Sequence, residues 1–313
     1  MPDSTALLLA GARWLTSLSV LLIVGSVGAR VVVTRAASAE AIVPIKSILF
    51  TRIERTARLG AWLWLLSVVV MLGAQLLAWF GADGVLDTEN VSVMISGTVW
   101  GQSWQWTAIA SVAVLAVLTL ARIAPAFSTG AIVASALAAA AVSPLIGHGG
   151  SHGLTTWALH AIHLFGAGLW LGTLAVLLRS SLSLWGADGS GAGSGVRPHA
   201  EALRALLLSL SPVALTGAAL AGISGLILAL EHVRPLSATF ETAFGITLLV
   251  KIFVVLDVVA LGYLNWRVFG PRVLEDDARL KLRTIAITEA ALGLLLVLGI
   301  TAWLSGLPIP SAS

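Results

Sequence analysis

Residues 243–268 read AFGITLLVKIFVVLDVVALGYLNWRV. Lys251, Asp257 and Arg267 carry its only charges, and the remainder is apolar on every side. A bilayer core about 30 Å thick is crossed by roughly 20 apolar helical residues, so the stretch is long enough to span one. A strand of a membrane barrel would alternate apolar and polar residues, and this stretch does not. It is expected to be a transmembrane helix. Seven more runs share its character, at about 6–33, 59–81, 104–121, 127–146, 155–178, 205–230 and 284–306. The expected fold is an all-α integral membrane protein, a bundle of eight transmembrane helices.

Composition agrees. Of 313 residues, 58% are hydrophobic and 11% charged, with a mean hydropathy of +0.98. A soluble globule carries about a quarter charged residues, and a chain with so few could not cover a water-facing surface. The pI near 9.9 does not signal nucleic acid, because the bases fall in short clusters between apolar runs, where they orient a chain in lipid. There are no cysteines, which excludes disulfides, thiolate metal sites and cysteine catalysis. With three methionines, histidine is the main borderline-soft ligand. The first run lacks a basic leader and exceeds the usual signal-core length, so it is expected to be a retained helix.

Orientation follows from the bases. Arg35, Lys46, Arg52, Arg55 and Arg58 follow the first run; Arg122 follows the third; Arg179, Arg197 and Arg204 follow the fifth; Arg267, Arg272, Arg279, Lys281 and Arg283 follow the seventh. The alternate connections hold Arg234 as their one base. The positive-inside rule then puts both termini on the outer side of the membrane, which is periplasmic if that membrane is a bacterial inner one. Trp79, Trp100, Trp104, Trp157 and Trp303 fall near the outer boundaries expected of amphipathic rings. GADGSGAGSG, residues 186–195, marks a flexible cytoplasmic linker over about 184–200. It divides helices 1–5 (residues 1–183) from helices 6–8 (201–313) within one membrane domain.

Four of six histidines lie in GHGGSHGLTTWALHAIHL, residues 147–164. His148 and His152 fall in the outer connection between the fourth and fifth helices. His160 and His163 stand three apart on the fifth helix, about 60° apart around its axis. His232, beside Glu231, ends the sixth. These five imidazoles and one carboxylate are the candidate metal ligands, and neutral imidazole suits copper, zinc, iron and nickel. Solvation of the loop rings and interhelical hydrogen bonding of the helical ones are the alternatives. A mostly nitrogen site beside a carboxylate favours Cu(II) over Cu(I).

Deeper in the membrane lie Lys251, Asp257 and Glu289. A charge at helix centre opposes insertion by about 2.5–3.5 kcal/mol, so each is expected to face the bundle interior. They line a transport path, or they lock helices together. Lys251 and Asp257 stand about 120° apart on their helix and are poor direct partners.

HLFGAGLWLGTLAVL, residues 163–177, resembles the H-(six residues)-W-x-G signature of the bacterial copper resistance protein D (CopD) family. Lys251 and Asn265, within 244–269, and the final ITEAALGLLLVLGITAWLSGLPI are also similar to that family. The resemblance covers about residues 147–306; the first four helices share only hydropathy and helix number with it. Thr173 stands where the family frequently has a second glycine. The resemblance implies an inner-membrane copper protein, not an enzyme, that takes the ion from periplasm to cytoplasm. It also implies a separate periplasmic copper-binding partner of the CopC type, and that His148 and His163 are the family's recurring histidines. The competing expectations are a haem-binding redox protein and a copper sensor or assembly factor without transport. No P-loop is visible, so movement would follow the gradient, the membrane potential or protons.

Overall fold

The computed structural model describes residues 4–146, 153–181, 196–233 and 237–307. The described residues form helices and turns, with no strand. The elements used below are α1 (Ser4–Ala36), α2 (Lys46–Gly84), α3 (Thr88–Ser96), α4 (Val99–Leu120) and α5 (Ser128–Val142). They continue with α6 (Leu154–Ser180), α7 (Val196–His232), α8 (Ala243–Arg272) and α9 (Asp276–Leu304). Eight helical segments are long and apolar enough to cross a membrane; α3 is too short to span.

Local chemistry sets several helix starts. Asp87 accepts from the Glu89 amide to open α3, Thr98 from Gly101 to open α4, and Thr242 from Gly245 to open α8. Each satisfies an amide that has no partner within its helix. α6 opens at Gly153, whose φ of +87° is a conformation that suits glycine.

α1 is the centre of the bundle and packs against α2, α5, α6, α7 and α9. Its Val20, Leu21, Ile23, Val24, Val32 and Val33 are completely buried. In lipid, close backbone packing supplies much of what the hydrophobic effect supplies in water, and small residues provide it here. A Cβ added at Gly25 would lie 2.2 Å from the Gly172 carbonyl carbon, and one added at Gly172 would lie 2.1 Å from the Leu21 oxygen. The Gly168-x-x-x-Gly172 pair of α6 therefore docks on α1. At the base-rich end, Arg30 pairs with Glu54 at 2.9 Å and donates to Thr129, and Arg52 donates to the Ser180 carbonyl at the end of α6.

Three spanning helices widen into single π turns, at Gly168–Gly172, Asn265–Phe269 and Leu292–Val297. Such turns concentrate at functional sites. The Trp14 indole donates to the Leu294 carbonyl within the third at 2.9 Å.

The structure departs from expectation in four places. The second run starts at Lys46 rather than 59, because its basic first turns continue the helix beyond the apolar stretch. The connection 82–103, expected to be on the outer side, contains α3. α7 begins at Val196, inside the segment expected to be linker; most of that linker lies outside the described residues. Asp257 does not face the interior: it is exposed on α8, the span that buries the smallest share of its apolar window.

Candidate metal centre between α6 and α7

α7 carries small residues at Gly217, Ala221 and Gly225, one every four positions and so along one face. That face meets α6. A Cβ added at Gly217 would lie 2.6 Å from the Trp170 amide nitrogen, and one at Gly166 would lie 2.6 Å from that of Ala221. The same stripe leaves room for a ring. His163 lies against Gly225, where an added Cβ would come within 2.8 Å of its Cε1.

His163 Nδ1 is 2.8 Å from the Ala221 carbonyl oxygen. A carbonyl only accepts, so Nδ1 carries the hydrogen and Nε2 the lone pair. His232 follows the same rule: its Nδ1 is 2.8 Å from the Leu228 carbonyl one turn earlier on α7. Histidines that bind metals are commonly oriented in this way, with the second nitrogen anchored on a backbone carbonyl.

The His160 ring on α6 meets the His232 ring from α7, with centroids 5.8 Å apart and planes tilted by 45°. His232 also stacks on Phe244 of α8 at 6.4 Å, so three helices fix its position. Thr156 Oγ1, one turn above His160 on α6, donates to Glu231 Oε2 at 3.4 Å. That contact places the carboxylate on the same side as the two rings. His163, about a turn deeper, is within electrostatic reach of both His160 and Lys251.

His160, His232, Glu231 and His163 thus gather at one end of the α6–α7 interface. His148 and His152 lie outside the described residues. No group of three or more histidine and carboxylate side chains comes together at metal-binding distance among the described residues. Among the described residues, the closest approach of two candidate ligands from different helices is that of the His160 and His232 rings. Lys251 has no ion pair among the described residues, so the expected interhelical lock to a carboxylate is not seen there. Glu289 sits apart from these rings, near the middle of α9, in a separate polar cluster with Asn265 and Trp170.

The small-residue face of α7 was not anticipated from the sequence. Its signal, G-x-x-x-A-x-x-x-G over 217–225, was present but lay away from the histidines that drew attention.

A family model described as Copper resistance protein D-like, N-terminal domain matches residues 1–157. A second, described as Copper resistance protein D, matches residues 204–304. The first extends the kinship to the four leading helices, where only hydropathy and helix number had suggested it. His160, His163 and Trp170 lie between the two matched ranges, whereas His232, Lys251, Asn265 and Glu289 lie within the second. No curated protein and no solved structure matches the chain. With matched residues spread from the first helix to the eighth, the chain belongs to the copper resistance protein D family, as a multi-pass inner-membrane protein related to copper resistance and transport.

Proposed function

We propose that this protein imports copper, as Cu(II), from the periplasm through the histidine centre between α6 and α7. The observation that carries the reading is the approach of His160 and His232 from separate helices. Anchoring of Nδ1 in His163 and His232 sets their Nε2 lone pairs as ligands. His148 and His152 complete the shell from the connection just before α6. A copper carrier of the CopC type delivers the ion at this face.

Neutral imidazoles leave the ion's charge intact, and Glu231 offsets part of it. Lys251 opposes it, because a second cation near His163 is repelled in a medium of low dielectric. Copper entry is therefore favoured when the Lys251 proton leaves, which gives the centre a means of exchanging a proton for a metal. An inside-negative potential adds about 2.3 kcal/mol per charge per 100 mV in favour of entry.

The test is radiolabelled copper uptake into proteoliposomes by wild type and His163→Ala. Uptake by wild type and its loss in a folded variant supports the reading; equal flux in both rejects His163 as a transport ligand.

A further inference from the structure

A cavity lies away from the histidines, among α6, α7, α8 and α9. It holds about 520 Å³, within the range of small-molecule sites. Leu208 and Leu215 of α7 and Tyr263 and Trp266 of α8 line it and are themselves well exposed. The cavity therefore opens sideways, between α7 and α8, into the surrounding lipid. Arg204 and Arg267 also border it, at the base-rich end of the bundle.

One wall is polar and built from all three π-turn helices. Glu289, 4% exposed, accepts from Asn265 Nδ2 at 2.9 Å, and the Trp170 side chain is within hydrogen-bonding reach of the same carboxyl. Gly262 makes room for it, since an added Cβ would lie 3.0 Å from Glu289 Oε1. Trp170 and Asn265 lie within π turns, and Glu289 stands just before the third. Asn265 is 9% exposed and lines the cavity, and among the described residues its Oδ1 has no hydrogen-bond partner. A buried acceptor left unmatched costs about 1–3 kcal/mol. The wall therefore calls for a donor.

We propose that this cavity binds a membrane-dissolved amphiphile with an apolar body and a hydroxyl at its polar end. It enters from the inner leaflet between α7 and α8 and donates its hydroxyl hydrogen to Asn265 Oδ1. A stripped metal ion fits worse, because the leucine-rich walls offer it few ligands and Arg204 and Arg267 repel it. Two membrane-soluble classes carry the required hydroxyl: isoprenoid quinols and acylglycerols.

The experiment measures binding of a decyl benzoquinol and, separately, of monooleoylglycerol to the copper-free protein in detergent, by native mass spectrometry and titration. Wild type binds at least one of them in 1:1 ratio, and which one identifies the source. Asn265→Leu weakens that binding at least tenfold. Ala214→Phe, which fills the cavity from the α7 wall and leaves the polar wall intact, does the same and decides the matter should Asn265→Leu fail to fold. Absence of saturable binding by both probes, or binding unchanged in a folded Ala214→Phe protein, overturns the proposal. Copper takes no part in the assay, so its failure is distinct from failure of the copper reading.

Discussion

The His163 ring on α6 binds the Ala221 carbonyl of α7 through Nδ1 at 2.8 Å, directly beside a glycine, Gly225, that leaves it space. The bond joins two helices and at the same time sets which nitrogen of the ring can meet a metal. The structural role and the proposed ligand role therefore meet at this residue, and variants must be chosen to separate them.

Gly225→Ala separates them. The added methyl would meet the ring at 2.8 Å, so His163 must turn away while every ligand remains in the sequence. Copper uptake should fall at least as far as in His163→Gln, with a loss in thermal stability of only about 1 kcal/mol, the worth of one hydrogen bond. Uptake assays paired with melting curves in detergent check this; unchanged uptake would show that the ring's placement does not matter.

Packing gives a sharper stability prediction. Gly172→Leu and Gly217→Leu place a side chain where backbone atoms lie 2.1 and 2.6 Å from the new Cβ. Each should destabilise the bundle by about 1–3 kcal/mol or more and reduce the yield of folded protein. The same change at Gly222 or Gly299, which meet nothing within 4 Å, should leave melting nearly unchanged. Size-exclusion profiles and thermal melts of the four variants provide the comparison.

Much of this fold was legible because the solvent is lipid. Eight apolar runs gave eight spans, since each must satisfy its own backbone. The π turns at Gly168–Gly172, Asn265–Phe269 and Leu292–Val297 were not legible, because a π turn changes hydrogen-bond register without changing hydropathy. Asp257 misled the reading for a related reason. Depth in a helix follows from counting, whereas the face it presents depends on which neighbours pack there, and α8 has few. At the candidate metal centre, the spacing of His160 and His163 showed a shared face, but only tertiary packing could bring His232 to it. Glu289 drew notice as a charge in lipid; its partnership with Asn265 and Trp170 needed three helices to assemble.

Lys251→Met tests the proton-for-metal exchange. Removal of a like charge near the imidazoles should raise Cu(II) affinity by at least about tenfold at an effective dielectric near 20 and flatten the dependence of binding on pH. Titration of both proteins across about pH 7–9, where an ordinary imidazole is mostly neutral, measures it. Weaker binding in the variant would place Lys251 in a supporting role instead.

Orientation is open to single-cysteine labelling, because the chain contains no cysteine of its own. Thr88→Cys, at the start of α3, should react with an impermeant maleimide in intact spheroplasts. Glu40→Cys, between α1 and α2, should react only after the membrane is opened. The reverse pattern would place both termini in the cytoplasm.

The purified protein should show no Soret band. The α6–α7 interface is closed by Gly166, Gly217 and Ala221 against facing backbone, and the large cavity lies away from the His160–His232 pair. A strong Soret band lost in His232→Ala would favour the haem reading instead.

The most direct measurement is the Cu(II) electron paramagnetic resonance spectrum of the purified protein, with nitrogen couplings resolved. Convergence of the outer imidazoles on one ion predicts couplings to at least two imidazole nitrogens at one equivalent of copper, with one lost in His160→Ala and one in His232→Ala. A spectrum unaltered in both folded variants would contradict that convergence.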